Sequence, residues 1–255
     1  MRKIDLASLM PRFYDNLNFL GPWKFLLKRA MRHATLAKLD WKDSLDALQQ
    51  HEIADIKDFL TDIPLIKELS FPRWVQGQKD SRILIFSDAS KKGIAYCSYV
   101  VSKTPTGYVS HLLETACDIA PLKATRAEQD SCPKLELCAA KLAIKRATLL
   151  VESLCNKYRW ELKKEQFYCL TDSSVVLAWL NQVDTNKQTV YVRERVNYIK
   201  RLGLKWYHVP TENNMADCCS RGSRIKLLFT PFYQHGQPWM RADPSTYPII
   251  QNMDK

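Results

Sequence analysis

Glycine is scarce in this chain, at 7 of 255 residues, and proline numbers only 12, which excludes collagen-like repeats and Gly/Pro-rich low complexity. No stretch reaches the roughly 18 uninterrupted apolar residues of a membrane span, and Met1 to Leu9 lacks the apolar core of a secretory leader. The expectation is an intracellular chain, cytoplasmic or nuclear, with no membrane partner. Paired metal-binding cysteines are missing too. Cys218-Cys219, and Cys132 with Cys138, have no matching second pair, so no zinc site is expected. The eight cysteines, with Cys97, Cys138 and Cys169 inside apolar runs, read as reduced thiols. Acidic residues are in deficit, 27 against 38 Lys and Arg, a net charge of +11.

What is present is enough for a packed core: 46% of residues are hydrophobic and 25% charged. The charge is uneven. Residues 1–80 hold 13 basic and 11 acidic residues, so +9 of the excess lies from residue 81 onward, densest between Arg193 and Lys226. A basic segment of this kind suits a polyanion, because Lys and Arg that neutralise phosphates release counterions; a solvated basic face is the plainer reading.

Apolar spacing predicts helices within residues 17–60, with Asp43 or Ser44 capping the second. Prolines from Ile63-Pro64 to Phe71-Pro72 mark a boundary near residue 80. The grammar then changes. Ile83-Leu84-Ile85-Phe86 is a continuous apolar run, the mark of a central strand covered on both faces. Ile94 to Val101 and Tyr108 to Leu113 read as two further strands around the turn Thr104-Pro105-Thr106-Gly107. Ser131 is the expected N-cap of a long helix to about Cys155, followed by a strand at Gln166 to Thr171 and a helix at Ser173 to Asn181. A basic helix at Gln188 to Leu202, a strand at Leu204 to Val209 and a short helix at Asn214 to Arg221, closed by Gly222, complete the order. The prediction is an α/β fold, a mixed five-stranded sheet flanked by helices and preceded by a small helical segment. Its divisions are 1–80, 81–226 and 227–255, the last read as an extended or partly disordered arm.

Two strands end alike, in Ser87-Asp88-Ala89-Ser90 and Thr171-Asp172-Ser173-Ser174, and open α/β sheets place ligands at such carboxyl ends. Glu136 lies one turn into the long helix at the edge of its sheet-facing side, and Asp217 opens the last helix. Singly, each has an ordinary job: Asp88 and Asp172 as turn formers or caps, Asp217 complementing a helix dipole, Glu136 exposed. Jointly, four carboxylates around one sheet edge repel unless cations intervene, and hard oxygen donors suit Mg²⁺ or Mn²⁺.

These segments, with Lys134-Leu135-Glu136-Leu137, Val176-Leu177-Ala178-Trp179-Leu180 and Asn214-Met215-Ala216-Asp217 followed by Ser220-Arg221-Gly222, resemble the ribonuclease H domain of BEL/Pao-type retrotransposon polyproteins. The spacings are 48, 36 and 45 residues between successive acids, and the resemblance covers residues 80–225. Phe13-Tyr14-Asp15-Asn16 and Phe71-Pro72-Arg73-Trp74 resemble the segment that joins reverse transcriptase to ribonuclease H; Gly236-Gln237-Pro238-Trp239 resembles the stretch leading toward the integrase. The resemblance implies hydrolysis of the RNA strand of an RNA–DNA hybrid with two Mg²⁺ ions, Mn²⁺ substituting, held by Asp88, Glu136, Asp172 and Asp217. It implies that Arg193, Arg195 and Asn197, with Ser90 and Ser173, contact nucleic acid. His208 becomes a candidate proton carrier, with a structural role the plainer reading. The rest of a Pol polyprotein is the implied protein partner.

Departures are Met215, Cys218-Cys219 and Asn16, none of them a carboxylate. With no Tyr-x-Asp-Asp anywhere, the chain is not expected to polymerise by itself. Although such regions also carry the label Pao retrotransposon peptidase, aspartic proteolysis is not expected: it needs Asp-Thr/Ser-Gly, and Asp172-Ser173 is followed by Ser174. The competing reading is a catalytically silent nucleic-acid-binding or structural remnant. A DDE integrase or transposase would want its Glu last, whereas here it comes second.

Overall fold

Strand β1, Arg82–Ala89, lacks a polar face because it runs through the middle of a sheet with packed layers on both sides. Its side chains alternate accordingly, Ile83 and Ile85 joining one core and Leu84 and Phe86 the other. The computed structural model describes residues 1–71, 80–120 and 132–251. Strands β2 (Gly93–Thr104) and β3 (Gly107–Ile119) follow antiparallel, joined by the turn at Pro105-Thr106. Strands β4 (Phe167–Thr171) and β5 (Lys205–His208) add in parallel on the other side of β1, giving the expected five-stranded mixed sheet. A two-residue strand β6, Ile250–Gln251, pairs antiparallel with β5, and the order is β3-β2-β1-β4-β5-β6. Because Phe86 pairs with Leu170, the same register carried two residues on sets Asp88 beside Asp172.

One face is covered by the long helix. Leu137, Ala140, Ala143, Ile144 and Ala147 of the helix Cys132–Tyr158 pack on Ile83, Ile85 and Tyr96. The expected N-cap, Ser131, lies outside the described residues. Five shorter helices bring the numbering into chain order: α1 is Lys3–Leu9, α2 Gly21–Leu36, α3 Gln50–Asp62, α4 the long helix, α5 Ser174–Asn181 and α6 Val190–Lys200. Helices α5 and α6 share the face of α4. Ser44 caps the 3-10 turn Leu45–Ala47 rather than a second α-helix.

The opposite face is covered by both ends of the chain. Trp23 of α2 stacks on Phe59 of α3 with ring centroids 3.9 Å apart, and Phe25, Leu26 and Leu27 join Leu84, Phe86 and Tyr99 in one core. Gly93 has no side chain because a Cβ there would overlap the Phe25 ring. The short helix α7, Asp217–Arg221, begins three residues later than the sequence indicates, after a 3-10 turn at Thr211–Asn213. It ends at Gly222, whose φ of +77° is left-handed.

The segment after residue 226 is not an extended arm. It folds into α8 (Pro231–His235) and three 3-10 turns before β6, and Tyr233, Met240 and Tyr247 are buried against the sheet. Pro231, Pro238 and Pro244 each open a short helix, where a missing N–H costs nothing. The segment shows no periodicity because each anchor sits on its own turn rather than on one amphipathic element.

Asp62 fastens α3 to the chain beyond α7. Its buried carboxylate accepts from Arg224 at 2.9 and 2.6 Å and from the Ile225 N–H at 2.9 Å. Burial pushes its pKa up, but these three donors outweigh burial and hold it below the ordinary 3.8. The Asp62 contribution is therefore complete above pH 4 or so and is lost as pH falls through the depressed value. Asp62→Ala should cost about 3 kcal/mol in urea unfolding at neutral pH, and less in acid, where the carboxyl is already protonated.

Candidate active site

Strand ends and one helix bring three carboxylates together. One carboxyl oxygen from each of Asp88, Glu136 and Asp172 lies within 4.8 Å of the other two. Asp88 sits on β1, Asp172 just past the end of the adjacent parallel strand β4, and Glu136 reaches in from the second turn of α4. The fourth expected acid stands apart: Asp217 is not within that group, and its carboxylate lies 2.7 Å from the guanidinium of Arg221, one turn on. Its charge nevertheless reaches Asp88 and helps disfavour ionisation there.

The cluster is electrostatically unsatisfied. Burial, then the charges of Asp172 and Asp217, pushes the Asp88 carboxyl up to about 7 despite a hydrogen bond from Ser220. Burial, then Asp88 and Asp172, pushes Glu136 up to about 9, against an Ala89 backbone bond and the Cys132 thiol. Oε2 of Glu136 is buried without a hydrogen-bond partner among the described residues. Three hard oxygen donors, one of them orphaned and two holding protons near neutrality, form a set that a divalent cation would satisfy.

Residues that sequence reading passed over hold the acids in place. Asn214 is buried and donates its side-chain amide to Ser87 O at 3.1 Å and to Asp172 Oδ1 at 3.2 Å, while its own oxygen accepts from the Ala216 N–H. The Ser220 hydroxyl donates to Asp88. Asn214 stands three residues before Asp217 and Ser220 three after, one helical turn either side, which is the signal that could have found them.

The expected nucleic-acid contacts divide. The Ser90 hydroxyl donates to Ser220 O at 2.8 Å and accepts from the Lys92 and Gly93 N–H groups, so it secures the β1–β2 turn to α7. Ser173 caps α5 by accepting from the Val176 N–H. Arg195 lies over the Tyr191 ring, 3.4 Å from its centroid, and donates to Tyr191 O. Arg193 is half-buried with Nε 4.0 Å from Glu194, and Asn197 is exposed. His208 ends β5, half-buried. Among the described residues no helix is long and apolar enough to cross a membrane.

Against protein families, the model of the Pao retrotransposon-like RNaseH-like domain matches residues 2–173. The chain belongs to this family. The Pao RNaseH-like match takes in the N-terminal helices together with Asp88, Glu136 and Asp172, and ends before Arg193, Arg195, Asn197, His208 and Asp217. No curated protein sequence matches. Among solved structures, a foamy viral protease-reverse transcriptase "dRH" in complex with ds DNA is 12% identical, with a TM-score of 0.48 over 81% of this chain and 32% of that one. A foamy viral protease-reverse transcriptase in complex with dsDNA is 9% identical, with a TM-score of 0.27 over 81% of this chain and 38% of that one. The Pao RNaseH-like chain thus spans about a third of the length of those proteins.

Proposed function

We propose that this chain is a metal-dependent endonuclease that hydrolyses the RNA strand of RNA–DNA hybrids, as the ribonuclease H part of a retrotransposon polymerase. The observation that carries the reading is the cluster of buried Asp88 and Glu136 with half-buried Asp172, where the carboxyl ends of two parallel strands meet α4. Family membership supports the same assignment.

In this reading Asp88, Glu136 and Asp172 would hold Mg²⁺, with Asp217, paired here with Arg221, as the further carboxylate that a second ion would draw on. Bound there, such ions polarise phosphoryl oxygens and lower the pKa of water near a scissile phosphodiester. The chain's own residues supply placement. Asn214 orients the Asp172 carboxyl and Ser220 the Asp88 carboxyl through one hydrogen bond each, as groups around metal-binding carboxylates would. Low exposure of Asp88 and Glu136 keeps bulk water from screening the cluster. The excess of +9 beyond residue 80 offsets the charge of the incoming backbone.

A labelled RNA–DNA hybrid tests the proposal. Cleavage of the RNA strand is expected with Mg²⁺ or Mn²⁺ and not with EDTA, and the same RNA in an RNA duplex should survive. Absence of cleavage with either metal would show a silent remnant instead.

A further inference from the structure

A thiol stands beside the carboxylate cluster. Cys132 is the first residue of α4 and Glu136 lies one turn on, so the spacing of four puts both on one face of the helix. The Cys132 Sγ is 3.9 Å from Glu136 Oε1, and the charges of Glu136, Asp88 and Asp172 all reach it. Cys132 is exposed, whereas Asp88 and Glu136 are buried, which sets the thiol on the solvent side of those acids. It stands outside the set of oxygens that lie within 4.8 Å of one another, but its position depends on a single torsion, χ1.

Glu136 carries the sign of a missing ligand. That side chain is 8% exposed, its Oε1 faces the thiol, and its Oε2 is buried with no hydrogen-bond partner among the described residues. A carboxylate oxygen buried without a donor costs free energy that a cation would recover. The fourth donor decides which cation. Three carboxylates alone suit hard ions that keep several waters, whereas a thiolate added to them makes a four-donor set for Zn²⁺ or a softer divalent ion. Around a tetrahedral ion with bonds of about 2.3 Å to sulfur and about 2.0 Å to oxygen, those two donors stand about 3.5 Å apart. The 3.9 Å between Cys132 Sγ and Glu136 Oε1 is close to that separation. Such a site needs no second cysteine and so is unlike the paired-cysteine sites that the sequence lacks.

We propose that Cys132 joins Glu136, Asp88 and Asp172 in a mixed thiolate and carboxylate site for Zn²⁺ or a softer divalent ion, and that this ion blocks the centre rather than serving it. Four protein donors fill a tetrahedral shell and leave no open position for water or a phosphoryl oxygen, which is what separates a closed zinc site from a catalytic one. Zn²⁺ also binds such donors above Mn²⁺, so it prevails when both are present. The inference rests on the nuclease reading for the effect on cleavage and stands without it for metal binding.

The test uses Cd²⁺ in place of Zn²⁺, because a cadmium–thiolate bond absorbs in the ultraviolet where a carboxylate complex does not. Metal-free wild type, Cys132→Ser and Glu136→Gln are titrated with Cd²⁺, and Zn²⁺ affinity is measured by competition with a chromophoric chelator. Wild type should develop the band, both variants should lose most of it, and each should bind Zn²⁺ at least about ten-fold more weakly. The Zn²⁺ concentration that halves Mg²⁺-supported cleavage should rise by a similar factor in Cys132→Ser. A band unchanged in Cys132→Ser would put the metal on other thiols and overturn the proposal. A band lost there but unchanged in Glu136→Gln would show a thiol acting apart from the acids, and overturns it equally. A wild type that shows the band and never cleaves supports the site and defeats the nuclease reading; cleavage in Mg²⁺ with no cadmium band does the reverse.

Discussion

Asp88→Asn is expected to lower hybrid cleavage by about 10³-fold or more, some 4 kcal/mol of transition-state stabilisation, and to make the metal-free protein more stable. The two effects have one cause. In the native protein the Asp88 carboxyl is pushed from 3.8 up to about 7, and Glu136 from 4.5 up to about 9, chiefly by burial and then by their neighbours' charges. Between the unfolded and folded values the unfolded chain has released these protons while the native state still holds them. The stability associated with each group is thus complete below its unfolded pKa and is lost as pH rises through its folded pKa. Without metal, melting temperature should fall from about pH 4 to pH 9.

Asparagine removes one of the interacting charges, so near pH 8 in EDTA the variant should melt above wild type, by about 4–8 °C for roughly 2 kcal/mol. Added Mg²⁺ or Mn²⁺ should reverse the order: the cation takes the place of the protons, raises the wild-type melting temperature most at high pH, and does less for the variant. Calorimetry with and without metal reads all of this. A variant less stable than wild type in EDTA at high pH would mean that the cluster is held by ordinary hydrogen bonding and has no need of a cation.

Much of this site is legible in the sequence, and the reason is local. Asp88 and Asp172 each follow a short apolar run, so strand assignment alone delivers them to one sheet end, and the register that pairs Phe86 with Leu170 does the rest. Glu136 is legible from helical phase. Asp217 is legible as a first-turn residue, but its partner is not, because Arg221 competes for it one turn on and only the packed helix decides the outcome. Arg195 shows the same limit. Its charge is visible in the sequence, yet the spacing of four from Tyr191 folds it onto a ring of its own helix. The docking of residues 1–71 is beyond sequence reasoning, since the surface that receives Trp23 and Phe25 is assembled from strands and tail segments far away in the chain.

Removal of residues 230–255 should prevent cooperative folding. Read as an arm, the segment would be dispensable, and truncation would leave melting and cleavage unchanged. In the folded chain it supplies Tyr233 and Met240, both with no exposed surface, and Tyr247, 7% exposed. These side chains share a core with Leu84, Phe86 and Trp23. Burial of three such groups is worth about 5–9 kcal/mol. Truncation also orphans polar groups that stay behind: the buried Tyr99 hydroxyl donates to Tyr233 O at 2.8 Å, and Phe19 O accepts from the Tyr233 hydroxyl at 2.8 Å. Each orphan adds about 1–3 kcal/mol, bringing the loss within the 5–15 kcal/mol that holds a domain together. Tyr233→Ala should already cost about 3–5 kcal/mol, and Tyr233→Phe, which forfeits only the bond to Phe19, about 1 kcal/mol. Ser245→Ala, on an exposed turn, should change little. Because Phe86 lies two residues before Asp88 on the same strand, the damage reaches the carboxylates. Urea unfolding and near-ultraviolet circular dichroism of the truncated chain decide the matter: a sharp transition with native aromatic signals would mean that the tail only rests on the core and does not help build it.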